Sequence, residues 1–383
     1  MKIDQKRSGI VIPVAKPILT AREVLYVNEA LRDSAISGLH GEFLGRFEEG
    51  FSQYCSCRFG VATSNGTTAL HLALAALGIG PGDEVLVSTL TNMATFFAVH
   101  YQGAKAIPID IEEDTWNMNP QLLEERITSR TKAIVVVHLY GHPVDMDPVL
   151  DIAHRHRLHV VEDAAEAHGS LYKGQKAGSL GDIACFSFYA NKIVTTGEGG
   201  MITTNDAALA ERARRLGSLS YGRTQRFMHE DIGFNYRLTN LQAALGCAQL
   251  ERIEETIEKK RNVANRYNRH LSACAEIQRP VEKSYARNVY WMYHVVLTGA
   301  LRNEREVVMR TMADQGIETR DSFIPYNLQK IFISMGLTSP ESCPVANEVA
   351  KSGFYLPSSP DLSDDQIEYV ADTLTTITRK LIH

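Results

Sequence analysis

The sequence has no apolar run of the roughly 18 to 20 residues that a membrane-spanning helix needs. Its richest stretch, 69–79, carries His71 and reads as a buried helix. The charged start, Met1 to Arg7, is followed by a short apolar stretch broken by Pro13, too short for the apolar region of a secretion signal. Cysteine is sparse: Cys55, Cys57, Cys185, Cys247, Cys274 and Cys343 are spread over the chain with no Cys-x-x-Cys pair. That argues against a disulfide framework and suits a reducing compartment. Positive charge is not in excess, with Lys and Arg at 40 against 45 Asp and Glu, a net charge of −5. No global basic field is therefore available to hold nucleic acid. Internal repeats and low-complexity tracts are absent too. The expectation is a soluble, cytoplasmic α/β protein with neither membrane nor nucleic acid as a partner.

What is present is an ordinary globular composition, 44% apolar and 22% charged, over 383 residues, which favours two domains over one. Thr20-Ala21-Arg22-Glu23 is a capping box opening an amphipathic helix to about Leu31. From Phe59 onward short β-rich runs alternate with helical patterns. Strands are expected at 59–63, 84–88, 106–110, 133–138, 159–163, 183–188 and 201–204. Helices are expected at 67–77, 93–101, 120–127, 148–156 and 207–216, with Asn119-Pro120 and Asn205-Asp206 as caps. Near-continuous apolar strands such as Ala133-Ile134-Val135-Val136-Val137 fit a parallel sheet covered on both faces. One long helix is expected over 239–271, then a strand at 293–297 and helices at 304–315 and 363–381. The division expected is a large α/β domain over residues 1–260 with an N-terminal arm, and a smaller α+β domain over 261–383.

Three short segments carry the chemistry, each at or just past the end of a predicted parallel strand, where open α/β sheets place their ligands. Ser64-Asn65-Gly66-Thr67-Thr68 puts a tight turn and a helix start after a strand. Such a helix start either seats a phosphate or is simply N-capped by Ser64 or Asn65. Asp163 ends an apolar strand, where a carboxylate is costly without a partner. It binds a metal, pairs with Arg or Lys, neutralises a cofactor cation or caps a helix. Lys192 follows an aromatic strand inside 186–200, a segment closed by three glycines. A lone loop lysine is usually a solvated surface residue, whereas a desolvated one supplies the free amine of Schiff-base chemistry. Ser187 lies near it, placed for a phosphate. Jointly the three segments offer a phosphate cradle, a carboxylate and a lysine, the set that pyridoxal phosphate requires.

Seven ordered stretches carry a wider resemblance: 65–70, 80–85, 137–142, 162–169, 187–192, 196–200 and 233–240. With these the chain resembles the StrS/DegT family of pyridoxal-phosphate-dependent nucleotide-sugar aminotransferases over nearly its whole length, and within it the branch that makes perosamine. The resemblance implies the aspartate aminotransferase type I fold. It implies that Lys192 carries the cofactor, that Asp163 partners the pyridinium nitrogen and that Glu166 lies by the 3-hydroxyl, where relatives often have Gln. Gly66, Thr67 and Ser187 would hold the phosphate. Asn240 would reach it from the neighbouring subunit, so the active sites of a homodimer would be shared. The implied reaction moves an amino group from glutamate to C4 of a nucleotide-linked 4-keto-6-deoxy sugar. GDP-4-keto-6-deoxymannose, giving GDP-perosamine, is favoured over dTDP or UDP sugars and over C3 amination.

Asn92 departs from the pattern, standing where many relatives carry an aromatic residue stacked on the cofactor ring. Related sugar dehydratases replace the lysine with histidine, so Lys192 argues against that activity, and a non-catalytic regulator or binding module would not need it. A nicotinamide dehydrogenase would need a glycine fingerprint after a strand, whereas 78–82 follows a helix and reads as a helix stop. His154, His156 and His159 do not share one face, and no metal is expected there. Asn92, His229, Arg320 and Tyr326 are the residues expected to touch the sugar or its nucleotide.

Overall fold

The computed structural model describes residues 12–222, 225, 227–229 and 231–382; the charged start lies outside them. A seven-stranded sheet forms the centre, in the spatial order Phe59–Thr63, Gly200–Thr204, Ile183–Ser187, His159–Asp163, Thr131–Val137, Glu84–Ser88, Lys105–Ile109. Only Gly200–Thr204 runs against the others, so the sheet is mainly parallel, as the apolar strand pattern predicts. Val135, Val136 and Val137 are all buried, because helices and loops cover both faces. Among its helices are Gly66–Leu77, Ala94–Tyr101, Met146–His156 and Ala207–Gly217. Three predicted caps form: the Thr20 side chain and Glu23 make the capping box of Ala21–Arg32, Asn119 accepts from Gln121 N–H, and Asp206 accepts from Ala208 N–H and Leu209 N–H.

A second sheet, in the order Ile277–Gln278, Tyr293–Leu297, Gly353–Leu356, Arg320–Asp321, is antiparallel. The helices Ile253–His270, Arg305–Asp314 and Asp364–Ile382 supply apolar residues to the core beside it. The extended segment at Ile12–Lys16 joins this C-terminal region: Ile12 bridges Ile317, and Val14 N–H donates to Glu318 Oε2 at 2.9 Å.

Two expectations are corrected. The helix predicted over 239–271 is two helices, Asn240–Leu250 and Ile253–His270. No Pro or Gly marks the break. Instead Gln249 Nε2 and Arg252 Nη2 both donate to the carbonyl of Ile18, a tertiary tie to the N-terminal segment. The helix expected over 120–127 is two single 3₁₀ turns, Pro120–Leu122 and Glu124–Arg126. The helix Phe43–Tyr54 goes unsignalled in the sequence, since Glu42 makes no side-chain capping bond and Gly45 and Gly50 lower its propensity.

Glu162 shows how the neighbourhood of Asp163 is held. Its fully buried carboxylate accepts N–H bonds from Gly178, Leu180 and Gly181 at 2.7–2.8 Å. His138 Nε2 is 2.9 Å away, and His138 Nδ1 accepts from Val144 N–H, which leaves Nε2 to donate to the carboxylate. A charge with that many donors tolerates burial. It pins the loop between Asp163 and the strand Ile183–Ser187.

Candidate active site

The carboxyl ends of the strands Phe59–Thr63, His159–Asp163 and Ile183–Ser187 open into a cavity of about 720 Å³. Gly66, Thr67, Asp163, Glu166, Ser187 and Lys192 all line it. Sequence reasoning placed these six together, and the fold brings them together because all follow neighbouring strand ends.

The seat beside Ser187 depends on two glycines. Ser187 pairs with Gly200, which pairs in turn with Thr63, so the turn 64–66 and Ser187 face each other across Gly200. A Cβ on Gly200 would lie 2.4 Å from the Asn65 carbonyl oxygen, and one on Gly66 would lie 2.8 Å from Ser187 Cβ. Neither space admits a side chain. Asn65 caps the helix by accepting from Thr68 N–H at 2.9 Å. Gly66 and Thr67 are then its first two residues, whose N–H groups have no carbonyl four residues back within the helix. The Asn65 cap forms, and it leaves the first-turn N–H groups of Gly66 and Thr67 without a carbonyl partner within the helix, so capping does not displace the phosphate reading.

Asp163 is 5% exposed. Its Oδ2 accepts from the Thr95 hydroxyl at 2.7 Å and its Oδ1 from Ala165 N–H at 3.2 Å. Burial raises its carboxyl above the usual range, opposed by those two bonds and by Lys192. The Lys192 side chain is 10% exposed, with Nζ 3.8 Å from Glu166 Oε1. Burial pulls its amine below the ordinary lysine range, against the attraction of Glu166 and Asp163. The loop lysine is desolvated, which settles the choice between a surface side chain and a buried amine in favour of the amine. Glu166 Oε2 accepts from Tyr140 N–H at 2.8 Å. Burial pushes Glu166 up to about 7 although Lys192 and that N–H pull it down.

The Glu166 shift has a stability consequence with a definite sign. A carboxyl raised in the folded state binds its proton more tightly than in the unfolded chain. It favours folding below its ordinary range and loses that contribution as pH rises through about 7. Glu166→Gln removes the ionisation. In cofactor-free protein the variant is expected to gain more stability at pH 8 than at pH 5, by on the order of 2 kcal/mol. Denaturant unfolding at the two pH values checks this, and equal gains at both would contradict it.

Asn240 stands apart from the six. It is 1% exposed, its Oδ1 accepts from Leu44 N–H at 3.0 Å and its Nδ2 donates to the Ala35 carbonyl at 2.6 Å. It does not line the cavity of its own chain. Asn92 and Arg320 line it, whereas His229 and Tyr326 do not. His229 Nδ1 lies 2.9 Å from the Leu219 carbonyl oxygen, and Tyr326 is buried with its ring stacked on Phe96 at 3.9 Å. His168, in the same motif as Asp163 and Glu166, sits behind the site. Its Nδ1 accepts from Val194 N–H at 3.2 Å, and burial lowers it to about 3, which keeps the ring neutral. Sequence reasoning missed Thr95, which steadies Asp163, and Trp291, whose ring lies 3.7 Å from Lys192 Nζ. No local pattern marks either. A threonine inside a helix and a tryptophan before a strand both read as packing.

The donor set fits pyridoxal phosphate on this geometry. The cavity has an anion seat of N–H groups and a hydroxyl at one wall, a buried carboxylate, and a desolvated amine. Comparison with known proteins agrees. The profile of the DegT/DnrJ/EryC1/StrS aminotransferase family matches residues 17–375. The chain is similar to the GDP-perosamine synthase of Caulobacter vibrioides, 43% identical over 367 residues, covering 96% of this chain and 98% of that protein. It is also similar to the GDP-perosamine synthase of Escherichia coli O157:H7, 40% identical over 363 residues, covering 95% and 97%. Its fold superposes on the putative sugar aminotransferase Spr1654 from Streptococcus pneumoniae, PLP-form, with a TM-score of 0.92 and 27% identity, covering 97% of this chain and 100% of that one. The chain belongs to the DegT/DnrJ/EryC1/StrS aminotransferase family.

Proposed function

We propose that this protein moves an amino group from glutamate to C4 of a nucleotide-linked 4-keto-6-deoxy sugar, with GDP-4-keto-6-deoxymannose as the acceptor and GDP-perosamine as the product. The observation that carries the reading is the desolvated Lys192 amine opening into the same cavity as the buried Asp163 carboxylate. The choice of sugar draws its support from the two GDP-perosamine synthases, each similar over nearly the full chain.

Pyridoxal phosphate, when bound, supplies a conjugated ring that accepts the electron pair left when a C–H bond breaks beside the amino nitrogen. The roles of the chain's own residues follow from their positions. Gly66 N–H, Thr67 N–H and the Ser187 hydroxyl would hold the phosphate. Asp163, its two oxygens oriented by Thr95 and Ala165, would keep a proton on the ring nitrogen. Lys192 would hold the cofactor through its amine, and its Nζ, when free, would take the proton from the α-carbon of glutamate. That role suits an amine whose affinity for protons has been lowered by burial. Glu166 lies beside Lys192 and would face the ring hydroxyl. In the second half of the cycle the same Nζ delivers a proton at C4 of the sugar. Asn92, exposed at the cavity wall, accepts from Ala94 N–H at 3.0 Å and leaves one face of the site open to a bulky acceptor.

The proposal includes a homodimer with shared sites. Leu19, Val24, Leu25 and Leu39 near the first helix are each at least 50% exposed, and Ile232 is 89% exposed, an apolar surface that a second copy would cover. Asn240 would serve the partner's phosphate with its second N–H. The turn at Gly41 packs closely on that amide, since an added Cβ there would lie 2.3 Å from Asn240 Nδ2. Hybrids built from Asn240→Ala and Lys192→Ala protomers are then expected to recover about a quarter to a half of wild-type activity per mole, since one of the two sites is intact. Hybrids verified by mass yet inactive would contradict a shared site.

The test of substrate is a panel of GDP-, dTDP- and UDP-linked ketosugars with glutamate, read by mass spectrometry. The expected result is preferential conversion of the GDP-4-keto-6-deoxy sugar to an aminosugar nucleotide. Preference for a dTDP or UDP sugar would overturn the substrate assignment and leave the aminotransferase.

A further inference from the structure

Trp291 lines the cavity beside Lys192, and three contacts hold it there, one on its ring and two on its backbone. Its indole Nε1 donates to the carbonyl of Asn191, the residue preceding Lys192, at 2.8 Å. Its own carbonyl accepts from Lys260 Nζ at 2.8 Å, and Lys260 also donates to the Ser358 carbonyl at 2.8 Å. On the other side Gly141 packs so closely that an added Cβ would lie 3.0 Å from Trp291 N. Lys260 is itself 5% exposed, so a buried amine is devoted to holding two backbone carbonyls, one of them that of Trp291. The ring thus held carries Lys192 Nζ 3.7 Å from its centroid.

The groups facing Lys192 are few. Glu166 Oε1, at 3.8 Å, is beyond hydrogen-bond distance. Burial favours the protonated form of that carboxyl. Asp163 is engaged by Thr95 and Ala165, and His168 is kept neutral. The indole face, its centroid 3.7 Å from Nζ, and the Glu166 carboxyl, 3.8 Å away, are therefore the two partners next to the amine. An aromatic face, tryptophan's above all, attracts an ammonium and does so more strongly where water is excluded.

We propose that the face of Trp291 is the resting platform for the Lys192 ammonium during the part of the cycle in which that side chain is not joined to the cofactor. It steadies the released, protonated amine on the side away from Glu166, whose Oε1 lies 3.8 Å from Nζ, and its pull does not depend on whether that carboxyl is ionised. The inference rests on the reading of Lys192 given above.

The test uses cofactor-free protein. Competitive acetylation across a pH series, read at the Lys192 peptide by mass spectrometry, gives the midpoint at which this amine loses its proton. In Trp291→Leu the midpoint is expected to fall by about 0.5 to 1.5 pH units, because the protonated form has lost its aromatic partner. A merely structural role predicts the opposite sign, since water entering a loosened site relieves desolvation and raises the midpoint. An unchanged or raised midpoint overturns the proposal. Trp291→Phe keeps a weaker ring and is expected to show a smaller fall. If Trp291→Leu does not fold, that variant decides alone, and no fall in it overturns the proposal. The underlying reading is tested separately by pyridoxal phosphate uptake. Trp291→Leu keeps the visible band of the lysine-bound cofactor while Lys192→Ala loses it, so failure of the platform and failure of the lysine assignment give different results.

Discussion

Lys192→Ala protein mixed with pyridoxal phosphate is expected to show no visible band of a lysine-bound cofactor and to transfer amino groups at least about 10³-fold more slowly than wild type. Two separate functions are lost in this variant. On the proposed roles the covalent hold on the cofactor goes, and so does a buried amine in the cavity, its proton affinity lowered by desolvation, that takes the carbon-bound proton. Lys192→Arg is expected to fare no better, because a guanidinium stays protonated and forms no Schiff base. The Lys192 side chain lines the cavity, so neither substitution is expected to unfold the chain. An alanine variant that kept the band would remove the lysine from its assigned role.

Asp163→Asn is the second large effect, with turnover expected to fall on the order of 10²- to 10³-fold while the cofactor still binds. The amide has the shape of the carboxylate and can keep the bond from the Thr95 hydroxyl or from Ala165 N–H. What it loses is the negative charge that, on the proposed assignment, holds a proton on the ring nitrogen and with it the electron-accepting power of the ring. Thr95→Val leaves the charge and removes one of its two anchors, so a smaller loss of about tenfold is expected. Steady-state kinetics on the two variants separate charge from orientation. Wild-type turnover in Asp163→Asn would show that the carboxylate is not the ring partner.

Much of this arrangement is legible in the chain because it is local. The strands Phe59–Thr63, Glu84–Ser88 and His159–Asp163 end where the apolar runs end. Capping residues mark the helix starts at Thr20 and Asp206. Gly66, Asp163, Ser187 and Lys192 converge because each sits just beyond a neighbouring strand of one parallel sheet, a rule that needs no knowledge of distant contacts. What the sequence does not disclose depends on segments far apart in the chain. The break after Leu250 follows from hydrogen bonds to Ile18. The placement of Trp291 over Lys192 follows from Lys260 and Asn191 holding it at opposite ends. Tyr326 looks like a substrate contact in a loop and is instead buried against Phe96. Polar residue types in loops do not reveal which way their side chains turn.

The division of labour in the cavity is also an argument from magnitudes. A buried carboxylate and a buried amine in one pocket are each costly to desolvate, and the structure offsets that cost unevenly. Glu162, beneath the site, has three N–H donors and a histidine. Asp163, at its surface, has one hydroxyl and one N–H. The less satisfied carboxylate is the one exposed to a ligand, as expected where a cationic ring nitrogen is to complete its shell.

The central claim is that one lysine, Lys192, carries the cofactor. Its most direct test is reduction of the protein–pyridoxal phosphate complex with borohydride, followed by proteolysis and mass spectrometry. A single stable adduct on the peptide containing Lys192, absent when glutamate is added in excess before the reductant, is the predicted result. An adduct on any other lysine, or none despite bound cofactor, would contradict it.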